Sequence, residues 1–144
     1  MSGVVPDART LIDGARVETQ SHWFNYDEPI SVSRCVSTVC DLMSAFGSGK
    51  MSRPYGVALL IAGVDDKGPT LWYADPSGTK TQFKAKVIGA GADTAQTTLK
   101  EQYNSSMSLD EARQLALEIL KQVMKEKITD YNAEVAVIPV SIAA

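Results

Sequence analysis

Arg53-Pro54-Tyr55-Gly56-Val57-Ala58-Leu59-Leu60-Ile61-Ala62-Gly63-Val64-Asp65-Asp66-Lys67-Gly68-Pro69-Thr70-Leu71-Trp72-Tyr73-Ala74-Asp75-Pro76-Ser77-Gly78 decides the fold of this chain, because it runs strand, turn, strand, turn without a break. Residues 56–62 carry no charge and no strict polar alternation, the pattern of a strand covered on both faces. Asp65-Asp66-Lys67-Gly68-Pro69 and Asp75-Pro76-Ser77-Gly78 supply turn chemistry: an aspartate that bonds its own backbone, a proline with φ preset, a glycine free to take positive φ. A hairpin buried on both sides needs a layered fold around it.

Upstream, Pro6 suits the first turn of a helix, and Val5, Ala8, Leu11-Ile12, Ala15 and Thr19 recur at helical spacing. The aromatic patch Trp23-Phe24-Asn25-Tyr26 and Pro29 are expected to interrupt that helix. Ser31 then caps a second helix with the stripe Val32, Cys35-Val36, Val39, Leu42-Met43 and Phe46, which puts Cys35 in the apolar stripe and Cys40 at its edge. Gly47-Ser48-Gly49 ends it.

Downstream, the alternation of residues 79–83 and the short apolar run 85–88 predict one or two further strands before Gly89-Ala90-Gly91. A third helix is expected over residues 94–104. Ser108-Leu109-Asp110-Glu111 is a capping box that opens a fourth, with stripe Ala112, Leu115-Ala116, Ile119-Leu120 and Val123-Met124. Ala133-Glu134-Val135-Ala136-Val137-Ile138 reads as a strand stopped by Pro139, which cannot donate to a ladder. Hairpins in place of alternating strand and helix units indicate an α+β layered arrangement, antiparallel sheet covered by helix pairs.

Size and charge narrow the function. A chain of 144 residues with 44% hydrophobic content is one ordinary domain with enough bulk for a real core. Its net charge of -3 and scattered positive residues give no basic field for a phosphate backbone, so nucleic acid is not expected as a partner. The longest apolar run falls far short of the ~20 residues of a membrane helix, and residues 1–20 lack a basic start followed by an apolar block, so no membrane partner is expected either. Cys35 and Cys40 would diverge by about 140° on a helix, which predicts reduced thiols rather than a disulfide.

The residues that carry a wider likeness are now in view. They are Ser2-Gly3-Val4, Asp7-Ala8-Arg9-Thr10-Leu11-Ile12-Asp13, Ala15-Arg16-Val17-Glu18-Thr19-Gln20 with His22-Trp23-Phe24, and Met51-Ser52-Arg53-Pro54-Tyr55-Gly56-Val57-Ala58. They continue through Gly63-Val64-Asp65, Gly68-Pro69, Asp75-Pro76-Ser77-Gly78, Ile88-Gly89 and Ile119-Leu120-Lys121-Gln122-Val123-Met124. Over nearly its whole length the chain resembles the alpha-type subunits of the 20S proteasome, and among them the alpha type-5 group of eukaryotes. The resemblance implies a four-layer αββα sandwich of the N-terminal-nucleophile-hydrolase kind, incomplete at its amino terminus, with residues 1–144 as the carboxyl-terminal portion of the subunit domain.

It further implies a non-catalytic place in the outer ring of the proteasome core, with other alpha and beta subunits as partners, no cofactor, no metal, and a home in cytoplasm and nucleus. The peptidase threonine belongs to beta-type subunits in that family. The fold signature maps onto Arg53, Pro54, Gly56, Gly63, Asp65, Gly68, Asp75, Pro76 and Gly78. The family's gating segment and opening strands would precede Ser2-Gly3, so the strand over residues 55–63 is expected to expose ladder groups and apolar faces, and the isolated chain to associate.

Each chemistry-bearing residue also has a structural role to fill. Removal of Met1 would expose Ser2 as an amine-assisted nucleophile, the basis of an alternative as a self-standing hydrolase; but Ser2 is expected to lead directly into the first helix, with no lysine nearby in sequence. His22 is the one histidine, so a second-histidine triad is excluded, and its place is in the aromatic patch rather than in a dyad with Cys35 or Cys40. Gly89-Ala90-Gly91 lacks the third glycine of a dinucleotide loop and the lysine of a P-loop, and is expected to be a turn. Asp65, Asp66 and Asp75 serve turns rather than a metal, since no ligand series has calcium-loop spacing. The charged face of the fourth helix, with Asp110, Glu111, Arg113, Glu118, Lys121, Lys125 and Glu126, reads as a solvated surface.

Overall fold

A computed structural model describes residues 1–140. Contacts divide them into two compact units, Met1–Phe83 together with the described end of the chain from Pro139, and Lys84–Ile138.

The first unit is an antiparallel sheet with two helices. In chain order come β1 (Ser2–Gly3), α1 (Val5–Tyr26), α2 (Val32–Met43) with a short 3-10 turn (Ser44–Phe46), β2 (Val57–Asp65), β3 (Gly68–Ala74) and β4 (Lys80–Phe83). The strands lie in the order β1-β2-β3-β4. Asp65 pairs with Gly68, so Asp66 and Lys67 form a two-residue hairpin loop, and the register runs back to Leu59 opposite Ala74. Beneath the helices Ala8, Leu11, Val36, Val39, Cys40, Met43, Val57, Leu59 and Ala74 form one core, with Ile61 and Trp72 packed against it.

Alternation along β2 places Val57, Leu59 and Ile61 on that covered face. Leu60, Leu71 and Tyr73 on the other face are half-buried and Ala62 is exposed, so the hairpin is sealed on one face only, not on both as its apolar run had suggested. On that second face Tyr73 and Phe83 meet edge to face, 6.3 Å between ring centroids.

Three local expectations for this unit are corrected. The aromatic patch does not stop α1, which runs to Tyr26 and ends where Asp27 turns left-handed (φ 53) and donates its N–H to the Trp23 carbonyl. Aromatic residues cost a helix only a few tenths of a kcal/mol, and Pro29 lies beyond the residues it would disturb. The stripe of α2 is rotated from the one read in sequence: Val36, Val39, Cys40 and Met43 are buried while Cys35 is half-buried, so Cys40 is the core thiol. Ser2 does not lead straight into α1. It begins β1, paired with Ala58 while Gly3 pairs with Val57, and a two-residue strand is too short for any periodicity to signal.

The second unit holds α3 (Ala92–Gln102) and α4 (Leu109–Val123). Ala95, Leu115 and Ile119 are buried between them, with Val87, Leu99, Met107 and Val123 packed around. Residues 85–88 are not a strand, because the Val87 N–H donates to Gln96 Oε1 (3.0 Å) on α3 instead of to a ladder. Residues 133–138 are not a strand either: they are irregular, no strand among the described residues lies alongside to share a ladder, and Val135, Val137 and Ile138 stand exposed. The capping box of α4 is present as read, with the Glu111 N–H donating to Ser108 Oγ (3.3 Å) and Ser108 N–H donating to Glu111 Oε2 (2.7 Å). Ser108→Ala is expected to lower stability by about 1 kcal/mol in denaturant unfolding, with faster hydrogen exchange in the first turn of α4.

An antiparallel sheet covered by a helix pair, with a second helix pair further along the chain, is consistent with an incomplete α+β sandwich of the expected class.

Candidate functional site

The densest polar constellation joins the start of α1 to the loop before β2. Asp7 lies in the first turn of α1, where an acid favours the helix dipole, and is only 5% exposed. Arg53 grips it with two parallel bonds, Nη1 to Oδ2 and Nη2 to Oδ1, both 2.7 Å. The Gly56 N–H adds a third bond to Oδ2 (2.9 Å), and Arg53 Nη1 also donates to the Pro54 carbonyl (3.0 Å). The Arg53 bonds, then the Gly56 N–H, hold the Asp7 carboxyl at about 2. Each end of this clamp is fixed further by backbone. The Val4 N–H donates to the Gly56 carbonyl (2.8 Å), and a Cβ on Gly3 would lie 2.2 Å from that same oxygen, so glycine is needed at position 3.

The other signature residues are likewise spent inside the fold. Asp65 Oδ1 accepts from Lys67 N–H in the hairpin turn, and Oδ2 accepts from Val32 N–H (3.0 Å), one of the orphan donors at the start of α2. Gly63 is glycine because a Cβ there would lie 2.7 Å from Val32. Asp75 Oδ1 gathers the N–H groups of Ser77 (2.8 Å) and Thr79 (3.2 Å) and the Ser77 hydroxyl, and these bonds, the hydroxyl's first, lower its pKa.

The sequence had marked Arg53, Gly56 and the two turn aspartates but not the joint between them. By pattern Asp7 is only one residue of a helical run, although an acid in a first turn that falls on the core side is a signal for a basic partner. Gly3 was also missed.

The candidates for chemistry are scattered. Ser2 is held in β1. His22 is buried, its ring against Tyr26 (4.7 Å) and Nε2 3.4 Å from Glu28 Oε1, with no hydrogen bond to either cysteine among the described residues. Both thiols are free, and burial pushes the Cys40 pKa up, the state of an unreactive core thiol. Gly91 is the N-cap of α3 and Gly89 accepts from Ala92 N–H, a turn into the helix. Among the described residues no group of three or more His, Cys, Asp or Glu is placed to hold a metal ion. Nor is any helix among them long and apolar enough to cross a membrane.

An apolar groove of about 600 Å³ lies between α1 and the β1-side edge of β2. Leu11, Ala15, Cys35, Val39, Leu59 and Ile61 line it, and Arg16 is its one charged wall residue.

Comparison with known proteins sets this arrangement in context. The family model described as Proteasome subunit matches residues 1–138. A Dictyostelium discoideum protein named Proteasome subunit alpha type-5 is 58% identical over 96% of this chain and 60% of its own length. Its namesakes from Trypanosoma brucei brucei and Caenorhabditis elegans are 53% and 45% identical, over 98% and 99% of this chain and 59% of their own lengths. The chain thus spans about three-fifths of the curated relatives it matches.

Proposed function

Because the chain belongs to the proteasome subunit family, we propose that it is a non-catalytic structural piece of the alpha ring of the 20S core, supporting ubiquitin-dependent protein degradation in cytoplasm and nucleus. Its partners are then the other alpha and beta subunits, and peptide-bond cleavage falls to the beta subunits.

The observation that carries this reading is the use made of the signature. Asp7, Arg53, Gly56, Gly63 and Asp65 are each consumed by a contact between segments of the same chain and Asp75 by the turn it closes, so the residues that identify the family do architectural work. The alpha type-5 likeness over 96% of the chain points the same way. Ser2, which a self-standing hydrolase would need free, is engaged as a strand residue.

Affinity purification of a tagged chain from cells, followed by mass spectrometry, tests the proposal. Alpha-type and beta-type proteasome subunits are expected in the eluate. A chain that returns without any proteasome subunit overturns it.

A further inference from the structure

Beside the clamp stands a serine that the fold does not use. Residues 51–53 are bends between the short 3-10 turn and β2, and among the described residues their main-chain groups form no hydrogen bond with other main chain. Ser52 is exposed there, between Lys50 two residues before it and Arg53 directly after it. A stretch without main-chain bonds enters a partner's groove without the loss of any helix or strand, and basic flanks suit an acidic groove. Gly3 lies against Val57 and Ser2 against Ala58, so toward its start the chain runs away from this loop.

Arg53 has donors beyond those the fold engages. Nη1 donates to Asp7 and to the Pro54 carbonyl, and Nη2 donates once, to Asp7. The Nε hydrogen and the second Nη2 hydrogen are left to solvent on a side chain that is 61% exposed, and this side-on pair is the one that grips two oxygens of a single phosphate. Charge favours an anion here as well. Asp7 offsets one of the two positive charges of Lys50 and Arg53, and the first turn of α1 adds the positive end of its dipole.

We propose that Ser52 is a phosphorylation site, and that its phosphate docks on the solvent side of Arg53 to make a three-membered clamp with Asp7. A protein kinase supplies the group from ATP: a bond forms between Ser52 Oγ and the γ-phosphorus, the bond to the β-phosphate oxygen breaks, ADP leaves, and the hydroxyl proton passes to the kinase's catalytic carboxylate. Neighbouring Cα atoms are about 3.8 Å apart, which leaves the phosphate within reach of the next guanidinium. Asp7 is not displaced, because its carboxylate is buried and held also by the Gly56 N–H, whereas the phosphate stays in water. The modification therefore fastens the loop before β2 to the start of α1.

The test uses the full chain treated with magnesium ATP and the catalytic domain of protein kinase C, which takes serines flanked by basic residues. Beside it stands a chain with phosphoserine placed at position 52 during synthesis. Mass spectrometry of the treated chain is expected to find phosphate on the peptide that holds Ser52, and none on that peptide in Ser52→Ala. In both phosphorylated forms the Arg53 Nε–H signal in nitrogen–proton NMR should move downfield, and the melting temperature should rise by about 3 °C. Arg53→Lys keeps the charge but lacks the side-on pair, so phosphoserine at position 52 should leave its melting temperature unchanged; should that variant fail to fold, the NMR signal of the parent decides alone. A Ser52 that the kinase leaves unmodified, an Nε–H signal that does not respond, a melting temperature that holds or falls, or an equal rise in Arg53→Lys each overturns the proposal.

Discussion

Replacing Asp7 with Asn is expected to lower the melting temperature at neutral pH by roughly 5–10 °C, read by circular dichroism. The carboxylate is buried, whereas Arg53 is 61% exposed at its side chain, so the weight of the pair rests on the Asp7 end. An amide has a single acceptor oxygen and cannot receive both guanidinium nitrogens and the Gly56 N–H in the same plane. The loss should depend on pH in a defined direction. The folded carboxyl sits at about 2 against an ordinary 3.8, so its contribution is complete above the ordinary value and disappears as pH falls through that range toward 2. Asp75 and Glu111, also lowered, lose their contributions in acid too, but they are common to both proteins. The gap in melting temperature between parent and variant should therefore close between pH 4 and pH 2. A gap that is absent at neutral pH, or that persists in acid, would refute the account of the clamp.

Gly78→Ala should cost about 2–4 kcal/mol in denaturant unfolding, clearly more than Gly68→Ala. Both glycines take positive φ, 83° and 99°, so both substitutions carry backbone strain. They differ in what a methyl group would meet. At Gly68 nothing lies within 4 Å, whereas at Gly78 a Cβ would come within 2.1 Å of Ser44 Oγ and 2.8 Å of the Cys40 carbonyl. The serine can rotate, but the carbonyl belongs to the last turn of α2 and moves only if the helix does. Comparing the two midpoints separates strain from collision, and equal losses would show that the turn yields without disturbing α2.

What could be read from the residues was whatever local pattern controls. Ser31 and Ser108 each cap the helix assigned to them, and the turns at Asp65 and Asp75 close as their composition requires, because these effects involve neighbours a few residues away. The strands over 85–88 and 133–138 did not form, because a strand is a property of a pair and no residue within a segment says whether its partner is present. The exchange of roles between Cys35 and Cys40 has a similar origin. Two apolar lines ran along α2, and the choice between them was made by where α1 and β2 lie, not by α2 itself. Of the site, the individual residues of the clamp were visible but their union was not: 46 positions separate Asp7 from Arg53.

That separation bears on what a motif of this kind can tell. Arg-Pro-aromatic-Gly is recognisable because it answers a distant aspartate, and the answer concerns the shape of the backbone rather than any reaction. Such a stretch is a mark of descent. It speaks for the architecture of a chain while leaving the vocation of that chain to be read elsewhere.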